Sequence, residues 1–105
     1  MAVERQAIDE LVRRIVDLVH PLRIILFGSH ARGDAGPDSD VDLLVVVPEG
    51  TKRARVEALL YREIRGLKIP FDVLAVTPSF LEEHKDNIGL IFYTILEEGR
   101  EVYAA

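Results

Sequence analysis

Three aspartates and one tight turn carry the chemistry open to this sequence. Asp40 and Asp42 stand two apart at the entrance to an apolar run. On a strand, such residues project to one face, roughly 6.5–7 Å apart along the chain. A pair like this can hold one divalent ion, or two ions about 3.5–4 Å apart that share a bridging carboxylate. Asp72 is a third carboxylate, set in the otherwise apolar run FDVLAV. If that run pairs beside the first, the three carboxylates converge. Like charges so close raise one another's pKa unless a cation neutralises them. Hard oxygen ligands with no His or Cys among them favour magnesium or manganese, and magnesium keeps positions open for water and substrate phosphates. Phosphoryl or nucleotidyl transfer needs that combination.

The other half of the pattern is the corner Gly28-Ser29, which follows the apolar run RIILF. Glycine lets the backbone turn sharply and approach a ligand closely. Backbone N–H groups at the start of the next helical turn, with the Ser29 hydroxyl, can cradle phosphate oxygens. Arg32 lies one turn further and can clamp the same phosphates bidentately. Ten residues separate Ser29 from Asp40. The stretch reads as a site for a nucleoside triphosphate at one end and divalent metal at the other. Taken singly, each feature has an ordinary rival. Asp-x-Asp beside a loop is common on surfaces, Gly-Ser is a frequent turn, and a buried Asp72 could be a satisfied structural carboxylate. Order and spacing together favour the site.

The elements that must position these residues follow from periodicity. Over residues 3–19, Ile8, Leu11, Val12, Ile15, Leu18 and Val19 form one helical stripe. His20-Pro21 ends it, because the residue before proline disfavours the helical region. Residues 23–27 are short and rich in branched side chains, which predicts a buried strand. Gly33, Gly36 and Pro37 mark a loop. Residues 40–47 read as a strand covered on much of both faces. Thr51 is the expected N-cap of a helix whose stripe is Val56, Leu59, Leu60, Ile64 and Leu67. Residues 70–76 predict a third strand. Thr77 caps a short helical turn starting at Pro78. Asp86 or Asn87 is the expected cap of a last helix with Ile88, Ile91, Phe92, Ile95 and Leu96 inward, stopped by Gly99. Residues 101–103 can add a final strand. The order predicts one α+β domain over residues 1–105, a sheet layered with helices.

Composition narrows the function classes. A chain of 105 residues suits one modest core. Its net charge of −5 argues against a protein whose main task is gripping bulk nucleic acid. Without cysteine, disulfides, thiolate chemistry and cysteine-ligated zinc are excluded. MAVERQ shows no basic segment leading into an apolar run, and no apolar stretch is long enough to span a bilayer, so a cytoplasmic protein is expected. The basic residues Lys52, Arg53, Arg55, Arg62 and Arg65 read as a solvated helix face, with a docking surface as the rival. His30 reads as a solvent-facing filler with nucleotide contact as the alternative, and Tyr61, Tyr93 and Tyr103 as packing.

The run GSHARGDAGPDSDVDLLV resembles the signature of the DNA polymerase β-type nucleotidyltransferase superfamily: G-S, about ten residues, then D-x-D. It is most similar to the minimal nucleotidyltransferases (MNT proteins), including the MntA-like antitoxins of HEPN/MNT pairs. The likeness spans essentially the whole chain, taking in PFDVLAV and the closing ILEEGREVY. It implies a small mixed β-sheet with helices packed on one face and the site on the other. It implies that Asp40 and Asp42 bind the metal ions, Mg2+ or else Mn2+. Asp72 would complete the site and help deprotonate an acceptor hydroxyl, directly or through a metal. Gly28 and Ser29 would contact the triphosphate, with Arg32 and Ser39 nearby.

The implied reaction transfers a nucleoside monophosphate, AMP from ATP, to a hydroxyl acceptor. Similar MNT proteins are paired with an all-helical HEPN partner, and in some pairs adenylylate a tyrosine on it. An antitoxin role follows as an expectation, with a homo-oligomer also open. Two rivals stand beside it. One is a non-catalytic nucleotide-binding subunit that neutralises a partner by contact. The other is transfer to a small molecule such as an aminoglycoside, whose enzymes generally carry a second domain.

Overall fold

The computed structural model describes residues 2–87 and 90–105, with side chains from residue 5 onward. Helix α1 (Ala2–Val19) leads into strand β1 (Arg23–Phe27) and the one-turn helix α2 (Ser29–Arg32). Strand β2 (Val41–Val46), helix α3 (Arg53–Glu63) and strand β3 (Phe71–Val76) form a βαβ unit. Helices α4 (Pro78–His84) and α5 (Ile91–Glu98) and strand β4 (Arg100–Ala104) close the chain.

The four strands lie in the order β3-β2-β1-β4. β1 pairs antiparallel with both β2 and β4, whereas β2 and β3 run parallel, so the sheet is mixed. β2 sits inside and is the most thoroughly buried strand, as its near-continuous apolar run requires. Opposite β1, β4 carries Val102 as an extra residue where the register shifts.

Alternation along the strands builds two cores. Ile24, Leu26, Val41, Leu43, Val45, Val73 and Ala75 face α1 and α3, packing on Leu11, Ile15, Val56 and Leu60. Ile25, Leu44, Val46 and Val76 face the other way, onto Leu81 of α4 and Phe92 and Ile95 of α5. Burying each such aliphatic side chain contributes about 1.5–3 kcal/mol relative to leaving it in water. The mixed sheet agrees with expectation. The expected helices on one face need adjusting, because α4 and α5 cover part of the second face as well.

Two caps differ from the sequence reading. Lys52, not Thr51, holds the N-cap position of α3, and its ammonium has no acceptor with which to cap; the Thr51 amide instead closes a turn onto Pro48. Leu90, rather than Asp86 or Asn87, holds the N-cap position of α5 and gives no side-chain cap. Ile91 of the expected stripe is half exposed, and Ile88 lies outside the described residues. Thr77 caps α4 as expected, its hydroxyl accepting from the Phe80 amide at 3.3 Å.

β3 is an edge strand whose outer backbone is closed by α3. Arg53, Glu57 and Tyr61 are spaced four apart, so they line one side of the helix. The Tyr61 hydroxyl accepts from the Val73 amide at 2.7 Å. Glu57 accepts from the Ala75 amide at 2.8 Å, and Arg53 donates to the Ala75 carbonyl at 2.7 Å. These groups occupy the positions that another strand would otherwise pair with. No described helix is long and apolar enough to cross a membrane.

Candidate active site

The site lies at the end of the sheet where β1 leaves and β2 and β3 enter. Phe27, Asp42 and Asp72 are aligned there across three strands. Asp42 and Asp72 are direct register partners in the parallel pair, so both side chains stand on one face. Their neighbours on that face, Leu44, Val46 and Val76, run down into the core under α4 and α5. The two carboxylates thus mark where an apolar strip meets solvent. Asp40, two residues before Asp42, is exposed on the loop that enters β2.

The charges feel one another. Burial is the first cause that pushes the Asp42 carboxyl above its usual range, and the charges on Asp72 and then Asp40 add to it. His30 and Arg32 act in the opposite sense. Asp72 is exposed rather than turned into the interior. Its carboxylate Oδ1 accepts from the Tyr61 hydroxyl at 3.4 Å. Burial, reinforced by the Asp72 charge, pushes the Tyr61 phenol up, so it stays protonated and remains a donor.

Gly28 forms the corner. Its φ of 74° and ψ of −156° belong to a region open essentially to glycine. A Cβ at this position would collide with Oδ2 of Asp42. The corner therefore places backbone directly against the central carboxylate. The Gly28 carbonyl accepts from the Ala31 and Arg32 amides. Among the described residues the Ser29 and His30 amides have no backbone partner. Those two are the amides open to a phosphate at this turn.

The remaining candidates are less committed to the site. Arg32 is exposed, and Asp34 and Glu98 lie 3.2 and 3.7 Å from its guanidinium. Both pairs are solvent-facing and worth little, so Arg32 can exchange them for a phosphate at small cost. The Ser39 hydroxyl accepts from the Gly36 amide at 2.9 Å and serves the loop's own turn.

The donor set fits a hard divalent cation: oxygen ligands, two of them paired by register, and a third close enough to perturb the central one. The fit is open rather than closed. Among the described residues, no three acidic, His or Cys side chains already surround a single point. An ion held here would keep water or substrate oxygens in part of its shell, a mode that suits magnesium better than calcium. A hollow of about 330 Å³ opens between α1 and β4, lined by Ile8, Leu26, His30 and Val102 among others. Asp40 and Asp72 are exposed, whereas Asp42 is partly buried.

Two contributors play more than the part the sequence suggests for them, His30 as a filler with nucleotide contact as the alternative and Tyr61 as packing. His30 is half-buried, and its Nε2 lies 3.2 Å from the Ser39 carbonyl, tying α2 to the loop that delivers Asp40. Its place between Ser29 and Ala31 was the signal available. Tyr61 gave no local signal, because its contact with Asp72 exists only once α3 lies along the edge of β3.

With this geometry in place, the chain can be compared with known proteins. Residues 8–102 match the nucleotidyltransferase domain family, and the chain belongs to it. A 27-residue segment is 63% identical to a Methanocaldococcus jannaschii protein named "Putative protein adenylyltransferase MJ0141". That segment is 26% of this chain and 27% of the relative, so about a quarter of each is covered. A crystal structure from Sulfolobus solfataricus, titled as a "putative nucleotidyltransferase", superposes with a TM-score of 0.62 at 22% identity, over 94% of this chain and 78% of that one. A structure titled "toxin-antitoxin with AMP-PNP" gives a TM-score of 0.53 at 17% identity, over 95% and 73% of the two chains. These two likenesses establish the shared fold.

Proposed function

We propose that the chain transfers a nucleoside monophosphate, AMP from ATP, to a hydroxyl acceptor, with Mg2+ bound at Asp40, Asp42 and Asp72. The observation that carries this reading is the register pairing of Asp42 with Asp72 on one face, against the Gly28 corner. A bound divalent ion would stabilise charge on the attacking and leaving oxygens. The chain supplies the rest. The Ser29 and His30 amides and the Arg32 guanidinium orient the triphosphate. Asp72, on the outer strand and open to solvent, accepts the acceptor hydroxyl's proton as that oxygen attacks the α-phosphorus. Pyrophosphate leaves on the opposite side.

The acceptor in this proposal is a tyrosine on an all-helical HEPN-type partner, whose activity the modification silences. Support comes from the family, from the relative's name and from the toxin–antitoxin neighbour. The test is to incubate chain, partner, ATP and Mg2+ and weigh the partner. A gain of whole AMP units, absent when Asp40→Asn is combined with Asp42→Asn, is expected. An unmodified partner that is nonetheless inhibited by the double variant overturns the catalytic reading. That outcome belongs to a second reading, neutralisation by contact alone, which draws on the lack of three ready-gathered ligands among the described residues.

A further inference from the structure

We propose that Tyr61 is a positioning residue for Asp72, holding its carboxylate through the phenolic hydroxyl. The inference rests on the reading of Asp72 as the third carboxylate of the site.

The hydroxyl has one proton and two lone pairs. The Val73 amide occupies one lone pair at 2.7 Å and fixes the oxygen at the outer edge of β3. The remaining proton has two acceptors within reach: Oδ1 of Asp72 at 3.4 Å and the Val73 carbonyl at 3.5 Å. The carboxylate carries the full charge, and a donor gains more from an ionised acceptor than from a neutral one. At 3.4 Å the contact is long, as hydrogen bonds to reacting groups often are before substrate is bound.

Among the described residues, no other side chain donates to the Asp72 carboxylate, which is exposed. Its nearest charged neighbour on the sheet, Asp42, repels it. Tyr61 is itself held twice, by the Val73 amide and by stacking on Phe71 with ring centroids 5.5 Å apart. A side chain fixed at both ring and hydroxyl can restrain a mobile carboxylate against that repulsion.

Glu57 provides the control. It makes the same kind of edge contact, accepting from the Ala75 amide, but lies one turn further from the site. The experiment compares Tyr61→Phe, Glu57→Leu and Asp72→Asn. Mn2+ affinity is measured by electron paramagnetic resonance with α,β-methylene ATP present, and thermal melting is followed in parallel. Tyr61→Phe keeps the stacked ring and removes only the hydroxyl. It should weaken Mn2+ binding three- to tenfold, whereas Glu57→Leu stays within twofold, although both lose an edge hydrogen bond and melt a few degrees lower. Equal Mn2+ affinities in the two edge variants would mean that Tyr61 merely caps the strand, and would overturn the proposal. Unchanged affinity in Asp72→Asn would instead remove the third carboxylate from the site, and this inference with it. AMP found on Tyr61 after incubation with ATP and Mg2+ would also overturn a positioning role, since the hydroxyl would then be an acceptor.

Discussion

Gly28→Ala tests the corner on which the site is built. The backbone at Gly28, φ 74° and ψ −156°, lies where a side chain costs on the order of 1–3 kcal/mol. The new Cβ also meets Oδ2 of Asp42, so that carboxylate must leave its rotamer, at about 0.5–1.5 kcal/mol. The two together come to roughly 2–4 kcal/mol. At about 4–8 °C per kcal/mol for a domain of this size, melting should fall by roughly 8–32 °C. Gly33→Ala is the reference. Gly33 has φ 86° and ψ 12°, with nothing within 4 Å of an added Cβ, so only left-handed strain of about 1 kcal/mol applies. Urea melts of both variants, repeated in an Asp42→Ala background, form a double-mutant cycle. Losing the carboxylate should lower the Gly28→Ala cost by about 1 kcal/mol, the rotamer share, and leave the backbone share intact. AMP transfer should be lost in Gly28→Ala and kept in Gly33→Ala. Equal costs for the two glycines, with no coupling to Asp42, would refute the described contact.

Other outcomes follow from the same geometry. With metal chelated, Asp42→Asn should raise the melting temperature at neutral pH. The folded state raises this carboxyl's pKa, so the native protein is favoured when Asp42 is protonated and loses that stability as pH rises through the raised value. The variant's advantage must therefore shrink on acidification, and an advantage that grows would contradict the sign. Mg2+ with ATP at a hundredfold excess over the dissociation constant should stabilise the fold by about 2.7 kcal/mol, read as a rise of roughly 10–20 °C by scanning fluorimetry. No shift at saturation would remove the nucleotide site. Thr77→Ala should cost about 1 kcal/mol in chemical denaturation through loss of the α4 cap, with Mn2+ binding unaltered.

Local rules fixed much of this molecule. The period-3.6 stripe of α1, the branched residues of β1 and β2, and Thr77-Pro78 at the start of α4 each specify their element with neighbours a few residues away. So does the corner at Gly28, which needs only a turn; Asp40, expected on the strand with Asp42, lies on the loop before it. The pairing of Asp42 with Asp72 was conditional in the sequence, because 29 residues intervene and nothing local says which strand lies beside which. Burial decided it: β2 must be covered on both faces, and the α3 crossover returns β3 parallel to it in register. Whether α4 and α5 cross to the second face was likewise a matter of which apolar surfaces remained open. Tyr61 shows the limit most clearly. Its sequence neighbours describe a helix face, while its partners, Val73 and Asp72, belong to a strand edge that exists only in the folded sheet.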